Sequence, residues 1–261
     1  MAIGVRGLQF NYGSRQVLRS LDVDVGTARL TAILGRNGSG KSTLLRIIAG
    51  LQEYREGSVQ ILGRELRDYA WHERAQTVGF LPQQHRAVFP FTVADVVLTG
   101  RAGYITFSPR PRDISSAMDA MRQVGIWDLQ NRPYTDLSGG EQQMVLIARV
   151  LAQQPKIVLM DEPTSHLDLH NQAAILSLAR KLVGGGLTVV CVLHDPNLAF
   201  SYADDFIFLR DGRVVLPEHG VEPWSAGFLR DVYGLNIDVI PFGGRAVVAP
   251  ARVELKHGGG V

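Results

Sequence analysis

The 261-residue chain holds a single cysteine, Cys191, so no disulfide forms within it. That cysteine sits inside Thr188-Val189-Val190-Cys191-Val192-Leu193, the setting of an inert buried thiol rather than a reactive one. No apolar run approaches the ~20 residues that a bilayer-spanning helix needs, and the first residues lack the charged-then-apolar layout of a secretory leader. Charge of one sign is scarce as well. Lys and Arg number 27 against 25 Asp and Glu, a net charge of +2, which offers no bulk electrostatic footing for nucleic acid. Internal repeats are missing, and no heptad segment occurs between Gln83 and Leu137. The expectation is a cytosolic chain whose membrane role, where it has one, comes through another subunit. One stretch is lopsided: Arg86, Arg101, Arg110 and Arg112 follow Gln83 with Asp95 as the only acid up to Arg112. It fits a solvated basic loop, or a surface that docks a partner or anionic lipid headgroups.

What is present is an α/β pattern long enough to bury a substantial core. Residues 2–10, 17–25 and 29–34 read as strands, with turn signals at Tyr12-Gly13-Ser14 and Gly26. A helix opens within residues 35–43 and runs to about Gly50, placed as a C′ glycine. Further strands are predicted over 59–62, 78–82, 157–161, 187–193 and 206–209. The runs after Lys156 and Gly186 are apolar throughout, as in parallel strands covered on both faces. From Gln83 to Gln154 the pattern turns helical. Thr92 and Asp95 have capping-box spacing ahead of Val93, Val96 and Val97; a second helix is predicted over about 113–124 and a third from Ser138. Gly184-Gly185-Gly186 reads as a simple loop. Beyond Arg213 the signals thin to one short helix near 224–233 and a Gly-rich end. The expected organisation is one domain over 1–261, with a helical subdomain at about 84–154 and a short tail at about 214–261.

Three segments carry chemistry. Gly35-Arg36-Asn37-Gly38-Ser39-Gly40-Lys41-Ser42 has the spacing of a phosphate loop. Its glycines let backbone N–H groups curl around phosphates, Lys41 reaches the β/γ oxygens and the Ser42 hydroxyl suits Mg²⁺. It follows the apolar run Leu30-Thr31-Ala32-Ile33-Leu34 and precedes a helix, the context that puts phosphates at a helix N-terminus. Ile157-Val158-Leu159-Met160-Asp161-Glu162 is an apolar strand ending in two carboxylates. Such an end by itself is an ordinary turn, but uncompensated carboxylates beside a core are costly. Downstream of a phosphate loop, Asp161 suits Mg²⁺ and Glu162 suits the proton of an attacking water. Ser138-Gly139-Gly140-Glu141 is a capping box on its plainest reading. Two glycines in a helix's first turn, however, cost roughly 1 kcal/mol each relative to alanine, which makes sense where a ligand approaches the backbone closely.

Leu137-Ser138-Gly139-Gly140-Glu141 resembles the signature motif of ATP-binding cassette (ABC) ATPases, and other elements of that family stand in order from Tyr12 to His194. The resemblance covers about residues 3–216 and implies a phosphate-loop core with an antiparallel β subdomain and a helical insertion. It implies that Tyr12 stacks on adenine, that Gln83 in Phe80-Leu81-Pro82-Gln83 is the Q-loop glutamine, that Ser165-His166-Leu167-Asp168 is the D-loop, with His166 in place of the commoner alanine, and that His194 is the switch histidine. The catalytic set is then Glu162, His194, Gln83 and Lys41. The nucleotide set is Tyr12, Gly35, Asn37, Gly38, Ser39, Gly40, Lys41, Ser42 and Thr43, with Ser138, Gly139, Gly140 and Glu141 reaching the ATP of a second copy. Ser42, Gln83 and Asp161 would hold Mg²⁺.

The resemblance also implies ATP and Mg²⁺ as cofactors and a head-to-tail homodimer on the cytoplasmic face of the membrane. The partners would be permease subunits and, through them, a substrate-binding protein; no nucleic acid is expected. Thr92-Val93-Ala94-Asp95-Val96-Val97-Leu98-Thr99-Gly100-Arg101, Ser165-His166-Leu167-Asp168 and Val192-Leu193-His194-Asp195 are similar to ATPases of importers for ferric siderophores, haem and vitamin B12. Molybdate or tungstate importers share these features, and a non-transport ABC ATPase acting on nucleic acid or the ribosome is the alternative from another class. On this resemblance the basic segment, with Arg86 and Arg101, lies near the groove that receives the permease.

Overall fold

The computed structural model describes residues 1–83, 91–105 and 107–251. Strands β1 (Ile3–Tyr12) and β2 (Arg15–Val25) form a hairpin, followed by β3 (Leu30–Leu34), helix α1 (Lys41–Ile48), β4 (Glu56–Ile61), β5 (Arg64–Glu65), α2 (Trp71–Thr77) and β6 (Val78–Leu81). Then come α3 (Val93–Leu98), α4 (Pro111–Val124), α5 (Gly139–Ala152), β7 (Ile157–Asp161), α6 (Leu169–Gly184), β8 (Thr188–Val192), α7 (Pro196–Tyr202), β9 (Asp205–Arg210) and β10 (Arg213–Val215). Helix α8 (Ala226–Tyr233) and a hairpin of β11 (Ile237–Phe242) and β12 (Arg245–Pro250) complete the described chain.

The strands form an antiparallel sheet in the order β2-β1-β4-β5 and a larger sheet in the order β10-β9-β3-β8-β7-β6, parallel except for β10. This is the α/β core with an antiparallel sheet that the sequence led us to expect. The uninterrupted apolar runs follow from the central strands facing two cores. Ile157, Leu159, Val190 and Val192 face the layer shared with α1 and the antiparallel sheet, whereas Val158, Met160, Val189 and Cys191 face the helices on the other side. Helix α1 is wedged between the two sheets with Leu44, Leu45, Ile47 and Ile48 buried, each worth roughly 2 kcal/mol of transfer from water. That wedge fixes where the phosphate loop points.

The strand expectations hold to within a few residues, and Gly50 ends α1 in the left-handed region at φ 67°. Both capping boxes form: the Thr92 backbone N–H donates to the Asp95 carboxylate at 3.1 Å, and the Ser138 backbone N–H donates to the Glu141 carboxylate at 2.8 Å. Helix α2, helix α6 and the β11–β12 hairpin lie outside what the sequence reading proposed.

The basic stretch needs a correction. Arg101 is not a docking residue: it is 3% exposed and pairs at 3.0 Å with Asp113, which is fully buried. Its guanidinium also donates to the Ala152 carbonyl at 2.9 Å and stacks 3.6 Å from the Tyr104 ring centre. The neutralising acid lies one residue past the stretch whose charges were counted, and burial made that pairing obligatory. Arg86 falls outside the described residues.

Candidate active site

The phosphate loop links β3 to α1, and its glycines answer to specific constraints. Gly35, at φ 140°, lies so close to β9 that a Cβ there would sit 2.1 Å from the Leu209 carbonyl oxygen. Gly40 caps α1 from the left-handed region at φ 103°, with Leu18 2.6 Å from where a Cβ would stand. The loop therefore packs under β2 and β9 while its N–H groups open onto a cleft of about 450 Å³.

Tyr12, Asn37, Gly38, Gly40, Lys41, Ser42, Thr43, Gln83, Glu162 and His194 line that cleft together with Arg15 and Val17. Lys41 is buried and donates to the carbonyls of Gly35 at 2.8 Å and Arg36 at 3.0 Å. Burial lowers its ammonium below the ordinary lysine range, while Glu162 and Asp161 pull the other way. The Ser42 hydroxyl donates to Asp161 Oδ1 at 2.7 Å across 119 residues of sequence. Burial raises the Asp161 carboxyl above its usual range, with Ser42 opposing. Its Oδ2 and the Ser39 hydroxyl are buried without a hydrogen-bond partner. Orphaned oxygens of this kind suit a cation or a donor group brought in by a ligand.

Glu162 closes the far side of the cleft in the left-handed region at φ 53°. His194 Nε2 lies 2.6 Å from its Oε1, Ser165 Oγ lies 3.1 Å from its Oε2, and Gln83 also donates to Oε2. Both carboxylate oxygens are thus engaged by groups drawn from three different connections. Tyr12 is half-exposed at the rim and stacks edge-on against Phe10 at 4.8 Å.

The structure does not bring every expected residue to this cleft. None of Ser138, Gly139, Gly140 and Glu141 lines it, and Gly35, Ser39 and Asp161 are buried behind its surface rather than lining it. Ser138 instead caps α5 through Glu141, and a Cβ on Gly140 would collide with the Asn171 amide at 2.3 Å. Asn171 is only partly buried, and its side chain can turn away, so packing within the chain does not by itself require glycine at 140. Sequence reading missed Arg15, Val17 and the Ser165–Glu162 contact. Arg15 had a weak signal, since it sits across the hairpin turn from Tyr12.

A phosphate loop at the C-terminal end of a central parallel strand, with a serine-bonded aspartate and an adjacent glutamate beside it, defines a phosphate-loop nucleotide-binding protein. A family model described as ABC transporter matches residues 18–165. The chain is 39% identical over 254 residues to the hemin import ATP-binding protein of Thermobifida fusca, covering 97% of this chain and 89% of that one. It is 39% identical over 248 residues to the protein of the same description in Streptomyces coelicolor, covering 94% and 89%. Among solved structures, a metal-chelate type ABC transporter in an inward-facing conformation matches with a TM-score of 0.83 at 31% identity, covering 96% of this chain and 97% of that one. A bacterial ABC transporter cassette solved as a dimer matches with a TM-score of 0.71 at 31% identity, covering 82% and 97%. The chain belongs to the ABC transporter family, as an ATP-binding, ATP-hydrolysing cassette.

Proposed function

We propose that this chain is the ATPase subunit of an importer for haem or a related iron chelate, working as a head-to-tail homodimer on the cytoplasmic face of the membrane. The observation that carries the ATPase half is the gathering of Lys41, Ser42, Gln83, Glu162 and His194 around one cleft, with Asp161 buried behind Ser42. The import half rests on the relatives, which are hemin import proteins over nearly the whole chain. Among the described residues no helix is long and apolar enough to cross a membrane, which fits a cassette joined to a separate permease.

Each residue has a role in this reading. The loop N–H groups and Lys41 hold the β- and γ-phosphates, and Tyr12 stacks on the base. Ser42, Asp161 and Gln83 would hold Mg²⁺, and the orphaned Asp161 oxygen supports that assignment. The ion supplies charge neutralisation on the phosphates when bound. His194 contacts the γ-phosphate. Glu162 accepts the proton of the attacking water once a carboxylate oxygen is freed from Gln83 or His194. Ser138, Gly139, Gly140 and Glu141 serve the ATP of the second copy.

The permease would dock on the face holding Leu51, Trp71 and Phe107, which are 63%, 67% and 99% exposed. Their segments are neighbours: a Cβ on Gly50 would run into Arg74, and Ala75 lies beside Gly103. The deciding experiment recovers the tagged chain from native membranes in mild detergent. A stoichiometric permease, and loss of hemin uptake when the chain is deleted, supports the proposal; recovery with ribosomes or DNA-bound proteins would overturn the import half. Trp71→Ala with Leu51→Ser should reduce the recovered permease at least about fivefold while basal ATPase activity persists, because apolar anchors dominate such interfaces.

A further inference from the structure

Residues 226–250 lie beyond the region matched by the family model, yet they touch both the helix that follows His194 and Arg36 of the phosphate loop. Helix α7 begins directly after His194: Asp195 is its N-cap and accepts from the Asn197 N–H at 2.8 Å. The Asn197 side chain then pairs with the backbone of β12 in both directions. Its amide donates to the Val248 carbonyl at 3.0 Å, and its Oδ1 accepts from the Val248 N–H at 2.8 Å. At the other end of α7, Arg245 donates to the carbonyls of Phe200 and Ala203. The Tyr233 hydroxyl at the end of α8 is buried without a hydrogen-bond partner, and it lies near enough to Asp195 to feel its charge. One residue on, a Cβ at Gly234 would stand 3.0 Å from the Arg36 guanidinium in the phosphate loop.

Helix α7 is seven residues long, and isolated helices of that length do not hold their shape in water. The C-terminal hairpin holds both of its ends. We propose that this segment is a brace that sets the position of His194 against Glu162, with Asn197 and Arg245 as its positioning residues. The path is short and continuous: Val248 to Asn197, Asn197 to Asp195, then His194, whose Nε2 lies 2.6 Å from Glu162. Loosening the brace lets His194 drift from the reacting phosphate while the phosphate loop still holds the nucleotide. The inference rests on the proposed role of His194.

The test is a double-mutant cycle on the full chain, reading kcat and KM for ATP alongside thermal melting. Asn197→Ala should lower kcat roughly tenfold, as expected for a displaced catalytic group, with KM nearly unchanged. In a His194→Ala background the same substitution should change kcat by less than about twofold, because coupled residues are not additive. A tenfold loss on both backgrounds, or an unchanged kcat for Asn197→Ala alone, overturns the brace. An unchanged kcat for His194→Ala overturns the role of His194 itself, which is a separate result. Should Asn197→Ala not fold, Arg245→Ala enters the same cycle, since it leaves the Asn197 pairing intact.

Discussion

At the scale of single residues, the site is built from groups held in costly states. Glu162 adopts a left-handed backbone at φ 53°, which costs a non-glycine residue roughly 1–2 kcal/mol. The cost persists because three side chains fasten its carboxylate. Glu162→Gln should bind ATP, lose turnover by at least about 100-fold and accumulate as a dimer in Mg-ATP; a monomer by light scattering under those conditions would contradict the assignment. Asp161 carries a raised pKa from burial and an unpartnered oxygen. A carboxyl raised on folding loses stability as pH climbs through its ionisation, so the charged form is destabilising at neutral pH. Asp161→Asn should therefore raise the melting temperature of the nucleotide-free protein by roughly 2–4 °C while abolishing the further stabilisation that Mg²⁺ adds to bound ATP. A variant that melts lower without nucleotide would refute this. Cys191 is fully buried and its thiol is pushed up to about 12; maleimide at pH 8 should leave it unmodified until urea unfolds the chain.

At the scale of elements, the helical region is tied to the core by Arg101. It joins the segment after α3 to Asp113 on α4 and to the last turn of α5. Removing one partner leaves the other charge buried, so Arg101→Glu should lower the melting temperature by on the order of 10 °C with no selective loss of permease binding. Helix α6 was legible in principle: Ile175, Leu178, Ala179 and Leu182 have helical spacing, and Asp168 caps it. The β11–β12 hairpin was harder to see. Gly243-Gly244 is a plain two-residue turn at φ 58° and 76°, of the kind hairpins favour. However, Pro241 and Pro250 argue against strands, and Ile240 and Phe242 point outward, which blurs the alternation. His166 sits at φ 63°, a region in which histidine is enriched several-fold, and that accounts for a residue the motif comparison left unexplained.

At the scale of the whole molecule, one chain presents a nucleotide cleft without Ser138–Glu141 among its lining. On the proposed head-to-tail pairing, a second copy completes the site. Complementation tests it. Lys41→Ala and Ser138→Arg chains should each be inactive alone, yet their mixture should regain about a quarter of wild-type activity. Half of randomly paired dimers are mixed, and each of these holds one intact site of two. No recovery on mixing would mean that each chain serves its own ATP.

The sequence by itself determined the phosphate loop and the acidic strand end, because each is a contiguous segment. Residues 35–43 carry their own turn geometry, and Asp161-Glu162 ends a strand whose apolar run announces burial on both faces. The partner that each polar group would find was decided only in three dimensions. Ser42 meets Asp161 across 119 residues, Arg101 buries itself on an acid just outside its own charge run, and Val248 reaches back to Asn197. Local backbone preference reads along the chain, but a buried charge or amide takes whichever partner the packing of sheets and helices sets beside it, and that packing is a property of the whole fold.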